Sequence, residues 1–262
     1  MEPFTIAVEA AGRALALECA WVGADDPRAP VLVFLHEGLG SLAMWRDFPA
    51  RLCDALGLRG LVYSRPGYGR STPRPASERW GLDFMHVQAR AVLPALLDAL
   101  GVAGRYHLLG HSDGGSIALI HAAESPERVA SCAVMAPHIM VEEFGLVSIR
   151  AAREAYLHGD LRSRLARYHA DVDSAFWGWN DIWLAPEFPR WQIVDLLPAI
   201  RCPILAIQGE DDPYGTMAQI DGIAAAAPRA RLLELPACGH SPHRDRPDEV
   251  VAAAREFFAA PP

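Results

Sequence analysis

Residues 106–115 of this chain read Tyr-His-Leu-Leu-Gly-His-Ser-Asp-Gly-Gly, and they decide how the whole sequence is interpreted. A short apolar segment typical of a strand runs into the pattern Gly-x-Ser-x-Gly, which residues 116–123 continue as a helix. This is the pattern of a nucleophile elbow, where a serine sits on a strained strand-to-helix turn. Such a turn requires residues without side chains at Gly110 and Gly114. Ser112 is therefore a candidate nucleophile at the end of a strand.

Apolar strand-like runs and helical segments alternate on both sides of this stretch. Residues 31–35, 129–135 and 204–208 are nearly continuous apolar runs, which is typical of strands covered on both faces. Helical periodicity predicts helices over residues 41–56, 82–100 and 216–227, with Pro94 as a kink in the second. This alternation predicts an α/β fold with a mostly parallel central sheet covered by helices on both faces. In such sheets, sites form at the carboxyl ends of strands.

The alternation stops between residues 138 and 190. That segment is helical in pattern and rich in arginine, and it contains an aromatic cluster of Phe176, Trp177, Trp179 and Trp183. We therefore predict a core made of residues 1–137 and 191–262, with residues 138–190 inserted as a helical cap. The aromatic cluster either lines an apolar pocket or packs the cap onto the core.

Composition excludes several classes of function. The net charge is −8, and the basic residues are all arginines, since the chain contains no lysine. These arginines form no dominant basic cluster, so we expect no nucleic-acid partner. The apolar runs are too short to span a membrane, and residues 1–5 lack the features of a secretory signal, so we expect a cytoplasmic protein. Five scattered cysteines and the absence of zinc-site spacing predict reduced thiols and no metal. The expected partner is a small-molecule substrate, and self-association into a homo-oligomer stays open.

Polar groups that could activate Ser112 follow two later strands. Glu210, Asp211 and Asp212 follow residues 204–208, and His240 lies in the loop before the last helix. A serine hydroxyl needs a base to take its proton, and the base needs an acid to orient it. We assign His240 as the base and expect His111 to point away from the serine and His243 to be solvated. The residues themselves leave the three acids open, in the order Asp212, Asp211, Glu210.

These motifs together resemble those of the α/β-hydrolase superfamily, and the resemblance covers nearly the whole chain. The matching stretches are residues 36–40, 65–71, 110–115, 209–212 and 239–240. In the family's Gly-x-x-Asp pattern the last residue is the acid, which selects Asp212. The family's oxyanion hole uses two backbone amides, which carry over to Gly38 and Asp113. One departure is Glu37, since the family usually has glycine after this histidine, and this affects Gly38 more than Asp113.

The resemblance implies a serine hydrolase that cleaves carboxylic esters of small molecules through an acyl-enzyme, without a metal or an organic cofactor. Glu37 and Asp113 would repel an anionic substrate, and Asp113 could hold an ammonium group or simply favour the start of its helix. We predict that Glu37, Trp177, Trp179 and Trp183 contribute to substrate binding.

Three other functions remain as alternatives. The first is a C–C bond hydrolase of ring-cleavage products, although that family commonly has tryptophan where this chain has Ser241. The second is a lactonase, which is chemically close to an esterase. The third is a non-catalytic ligand receptor on the same fold.

Overall fold

In the computed structural model, which describes residues 2–259, eight strands form one sheet in the order β1-β2-β4-β3-β5-β6-β7-β8. The first two strands are antiparallel to their neighbours, and β3 to β8 run parallel. This confirms the predicted mostly parallel sheet. The strands are β1 (Phe4–Ala10), β2 (Arg13–Gly23), β3 (Val31–Leu35), β4 (Arg59–Tyr63), β5 (Tyr106–His111), β6 (Val129–Met135), β7 (Ile204–Gly209) and β8 (Ala230–Leu235).

Helices cover both faces of the sheet, as the alternation predicts. All five residues of β3 are buried, and its side chains divide between two apolar clusters. Val33 and Leu35 pack with the helices on one face, whereas Leu32 and Phe34 pack with those on the other. The first face carries α2 (Phe84–Val87), α3 (Leu93–Ala99), α4 (Asp113–Glu124) and α8 (Ala218–Ala226), and the second carries α1 (Phe48–Leu56) and α10 (Pro247–Ala259).

Two predicted helices are interrupted. The segment 41–56 is a 3₁₀ turn (Leu42–Trp45) followed by α1, and it breaks at Arg46, whose φ is 55°. The segment 82–100 contains a π-helical turn (Gln88–Val92) between α2 and α3. Pro94 has no N–H to donate to a carbonyl one turn back, and the wider turn accommodates that loss in place of a simple kink.

Three α-helices lie in the segment between β6 and β7. They are α5 (Glu143–His158), α6 (Leu161–Leu165) and α7 (Val172–Trp183). Asp171 caps α7 by accepting a hydrogen bond from the Ser174 N–H. His169 connects this segment to the loops after β3 and β4, because its ring hydrogen-bonds the Leu39 carbonyl and the Gly69 N–H, both at 3.0 Å. Within residues 2–259, no helix has the length and apolar character needed to cross a membrane.

Candidate active site

Ser112 lies at the junction of β5 and α4 in a conformation that side chains rarely adopt, with φ 53° and ψ −122°. The Ser112 N–H donates to the Met135 carbonyl on the neighbouring strand at 2.9 Å, which holds the turn in place. A Cβ atom at Gly110 would overlap the Gly114 carbonyl, and one at Gly114 would overlap the Leu35 carbonyl. The two glycines therefore allow the close approach of backbones that the turn needs.

The serine, the histidine and one acid predicted from the sequence are connected by hydrogen bonds. Ser112 Oγ lies 2.9 Å from His240 Nε2, and His240 Nδ1 lies 2.9 and 2.8 Å from the two carboxylate oxygens of Asp212. The acid and the histidine meet because Gly209 at the end of β7 pairs with Leu235 at the end of β8. Asp211 and Glu210 are exposed, so Asp212 is the acid that the fold brings to the histidine.

Asp212 is held by two further donors. The Gln208 side-chain amide donates to one carboxylate oxygen and the Tyr214 N–H donates to the other, each at 2.8 Å. Burial by itself would raise the pKa of Asp212, but the His240 hydrogen bond and charge and the Tyr214 N–H outweigh burial and lower it. Asp212 is therefore kept as a carboxylate that accepts a hydrogen bond from His240 Nδ1.

Gly38 and Asp113 lie close together at the carboxyl ends of β3 and β5. The ends of β3 and β5 are in register, with Leu35 paired to Gly110, so the loop after β3 meets the start of α4. Asp113 is the first residue of α4, and its N–H is among the amides that a helix leaves without an internal partner. A Cβ at Gly38 would come within 3.2 Å of Asp113 Oδ2. The two predicted oxyanion donors thus belong to adjoining backbone segments.

The Asp113 carboxyl group is fully buried and has no hydrogen-bond partner within the described chain. Arg65, which is also buried, approaches Asp113 Oδ2 to 4.0 Å and donates to the Glu37 carbonyl at 2.8 Å. Burial raises the pKa of Asp113 to about 6, although the Arg65 charge and the nearby Trp183 indole, which falls short of hydrogen-bond geometry, oppose that rise. The side chain is therefore a buried carboxyl group paired loosely with Arg65.

The three predicted tryptophans separate into two groups. Trp179 reaches the site, since a Cβ at Gly38 would overlap its indole nitrogen. Trp183 also reaches it, with its ring centroid 4.9 Å from that of His138, which in turn lies 5.9 Å from His240. Trp177 instead packs edge-on against Tyr156 and Phe176 within residues 138–190.

A family model described as the alpha/beta hydrolase family matches residues 32–254. The chain belongs to the alpha/beta hydrolase family. This match and the parallel sheet confirm both the family resemblance and the fold predicted from the motifs, and they identify the protein as a hydrolase.

Several known proteins resemble this alpha/beta hydrolase over most of its length. A 2-hydroxy-6-oxo-6-phenylhexa-2,4-dienoate hydrolase of Burkholderia cepacia is 26% identical, covering 90% of both chains. A proline iminopeptidase of Lactobacillus helveticus is also 26% identical, over 87% of this chain and 90% of the relative. Among solved structures, the enol-lactonase of Burkholderia xenovorans superposes with a TM-score of 0.75 at 22% identity, covering 97% of this chain and all of the other.

Two histidine predictions have different outcomes in this alpha/beta hydrolase. His243, which we expected to be solvated, is buried, and its ring centroid lies 4.9 Å from that of His111 and 5.0 Å from that of Trp45. The short helix α9 (Pro242–Asp245) turns it inward. The side chain of His111 does point away from Ser112 and hydrogen-bonds the His240 carbonyl. Glu37, predicted to contact substrate, has its carboxylate near His111 instead, and a substrate contact stays a prediction.

Sequence reasoning missed several residues of this hydrolase's site. Gln208 is a polar residue inside an otherwise apolar buried strand, and that contrast was the available signal. Arg65 follows β4 closely in a matching motif, but no pattern indicated that its guanidinium turns inward. The Tyr214 ring lies 4.6 Å from that of His240, and the His138 ring lies 5.9 Å from it. Nothing in the sequence separates these two residues from ordinary loop residues.

No group of three or more His, Cys, Asp or Glu among residues 2–259 is arranged to hold a metal ion. The five cysteines are free and buried, and burial raises the pKa of the Cys19 thiol to about 12.

Proposed function

We propose that this hydrolase cleaves carboxylic esters of small molecules with Ser112 as nucleophile, His240 as base and Asp212 as orienting acid. The observation that carries this proposal is the series of hydrogen bonds from Ser112 Oγ to His240 Nε2 and from His240 Nδ1 to Asp212, all at 2.8–2.9 Å. A nucleophile, a base and an orienting acid in hydrogen-bond contact are the components of acyl-transfer catalysis.

The reaction would proceed in two acyl-transfer steps. Ser112 Oγ gives its proton to His240 Nε2 and attacks the ester carbonyl, and the Asp212 carboxylate stabilises the imidazolium that forms. The tetrahedral oxyanion accepts hydrogen bonds from the Gly38 and Asp113 amides, each worth roughly 3 kcal/mol. His240 then protonates the departing alcohol. In the second step, water loses a proton to His240 as it attacks the acyl-enzyme, and His240 returns that proton to Ser112 Oγ as the carboxylic acid leaves.

Residues 138–190 would serve as a cap over this reaction. Ser112 is only 5% exposed, and Trp179 and Trp183 of this segment contact the site, which fits a cap that excludes water and bounds an apolar pocket. Because Arg65 lies beside Asp113 and offsets its charge, we propose a preference for neutral esters and do not assign Asp113 to a substrate ammonium group.

A second candidate is hydrolysis of a C–C bond in a ring-cleavage product. The observation in its favour is the 26% identity to a 2-hydroxy-6-oxo-6-phenylhexa-2,4-dienoate hydrolase. Two features favour the esterase: Ser241 follows His240, and the arginine beside the site, Arg65, is buried and bonded to the Glu37 carbonyl, so it is poorly placed to bind a dienoate carboxylate. Lactone hydrolysis would use the same steps as ester hydrolysis.

The test is a panel of p-nitrophenyl esters, lactones and a 2-hydroxy-6-oxodienoate, assayed with the wild type, Ser112→Ala and the control Ser163→Ala. Ser163 is an exposed serine whose hydroxyl bonds only its own helix turn at Asp160. We expect the wild type to turn over esters, kcat/KM to fall by about 10⁴-fold or more in Ser112→Ala, and the control to keep the wild-type rate.

A fluorophosphonate should label the wild type and the control once per chain at Ser112. Faster turnover of the dienoate than of any ester would favour the second candidate, and absence of labelling would favour a non-catalytic receptor.

A further inference from the structure

A second histidine lies directly behind His240. His111 Nε2 is 2.6 Å from the backbone carbonyl oxygen of His240. A carbonyl oxygen can only accept a hydrogen bond, so Nε2 of His111 must carry a proton. His240 is therefore held at two points, by Asp212 at its ring and by His111 at its backbone.

The other ring nitrogen of His111 faces a carboxylate. Its Nδ1 lies 3.5 Å from Glu37 Oε2, which is an ion-pair separation just outside good hydrogen-bond geometry. A bare Nδ1 lone pair would repel that carboxylate, so the arrangement is stable when Nδ1 is protonated too. Burial would raise the pKa of Glu37, but its interactions with His111 outweigh burial and lower it, which keeps Glu37 ionised.

Two other histidines and a tryptophan lie around the His111 ring. Its ring lies 5.2 Å from that of His240, 4.9 Å from that of His243 and 6.3 Å from that of Trp45. Burial and the charge of His111 hold the pKa of His243 well below its ordinary value, so His243 stays neutral. The Glu37 carboxylate folds over Gly40, where a Cβ atom would overlap it, and is thereby kept inside the loop that also contains Gly38.

We propose that the partly buried Glu37 and the buried His111 form an ion pair that positions His240 through its backbone and ties the His240 loop to the Gly38 loop. Both are positioning residues, and the inference rests on the proposed function of Ser112 and His240. Residues 36–40 carry one predicted oxyanion donor, and the His240 loop carries the base. The ion pair thus fixes the distance between the group that activates the nucleophile and the group that stabilises the oxyanion.

The kinetic test compares His111→Gln, Glu37→Gln, the double variant and the control His121→Gln. Glutamine can donate to a carbonyl but carries no charge, and Glu37→Gln keeps the shape of the side chain. His121 is a matched control, since it is a buried histidine bonded to the Ala89 carbonyl and the Tyr106 hydroxyl, away from the site.

We expect kcat to fall by about 10- to 100-fold in each single variant, because small displacements of reacting groups are costly. KM should change by less than about threefold, and the double variant should be no slower than the slower single one.

A spectroscopic readout measures the charge on His111 directly and does not depend on turnover. In ¹⁵N-correlated NMR spectra at neutral pH, both ring nitrogens of His111 should be protonated, with the signal assigned by its loss in His111→Gln. In Glu37→Gln the same histidine should lose its Nδ1 proton. A neutral His111 in the wild type, or an unchanged kcat in His111→Gln beside an active wild type, overturns the ion pair or its positioning role respectively. A wild type that neither turns over esters nor reacts with fluorophosphonate instead overturns the proposed function.

Discussion

The end of the sheet around Ser112 and the helical segment above it are built on different physical grounds. At the carboxyl ends of the strands, the backbone fixes the positions of the site residues. Ser112 has a positive φ, Gly114 leaves no room for a Cβ, and the register of β7 and β8 brings their ends together. In residues 138–190, aromatic side chains pack on each other, as Tyr156 stacks on Phe176 at 3.6 Å. Steric exclusion permits few sequences, whereas apolar packing tolerates many.

This difference predicts where substitutions act. Changes at the carboxyl ends of the strands should affect the chemical step strongly, because they disturb a series of directed hydrogen bonds. Changes in the helical segment should affect which substrates bind, and only where a side chain reaches the loops below. The three predictions that follow test this contrast, beginning with the largest effect.

Asp212→Asn should lower kcat by about 10⁴-fold, as loss of the orienting carboxylate leaves the histidine in the wrong tautomer. The introduced amide could donate to His240 Nδ1, which would place the ring proton on Nε2, the atom that must accept from Ser112. The control is Asp211→Asn, a change of the same type one residue earlier at an exposed position. Initial rates with the best ester of the panel measure both. Equal losses in the two variants would contradict the assignment of Asp212.

Much of the arrangement at the carboxyl ends of the strands could be predicted from the sequence, for the same steric reasons. Gly110 and Gly114 are required in the chain because the turn excludes side chains, and strand order then places the loops that carry Asp212 and His240 beside Ser112. It could not place Arg65, Gln208 or His138, since their directions depend on packing between elements distant in sequence. His243 was placed wrongly for a related reason: charged neighbours indicated solvent, but α9 turns its ring against Trp45.

Asp113 joins the two regions, since it starts α4 and its side chain lies near the Trp183 indole. Its pKa rises from 3.8 to about 6 on folding, so the folded state favours the protonated form. The corresponding stability is present below pH 4 and is lost as the pH rises through about 6, a total of about 3 kcal/mol.

Asp113→Asn has no such titration. The free energy of unfolding of the wild type, measured relative to the variant by urea denaturation, should therefore fall by about 2 kcal/mol between pH 4.5 and pH 7.5. Other titrating groups cancel in the difference between the two proteins. A difference that is independent of pH over this range would show that folding does not raise the pKa of Asp113, because the charge of Arg65 would then offset burial.

The smallest effect separates Trp179 from Trp177. Trp179→Phe should lower kcat/KM for p-nitrophenyl esters by about 10-fold, because it removes an indole N–H that lies against Gly38 and enlarges the space beside the predicted oxyanion site. Trp177→Phe should change kcat/KM by less than about twofold, since that ring packs within residues 138–190 and beneath the Arg153 guanidinium.

The comparison should be made across a series of acyl chain lengths. If Trp179 bounds the acyl pocket, its variant should lose most with short chains and recover with long ones that fill the added space. A parallel loss at every chain length would place the effect on the oxyanion loop instead, and equal effects in the two variants would show that the helical segment acts on the site as a whole rather than through the tryptophans that reach it.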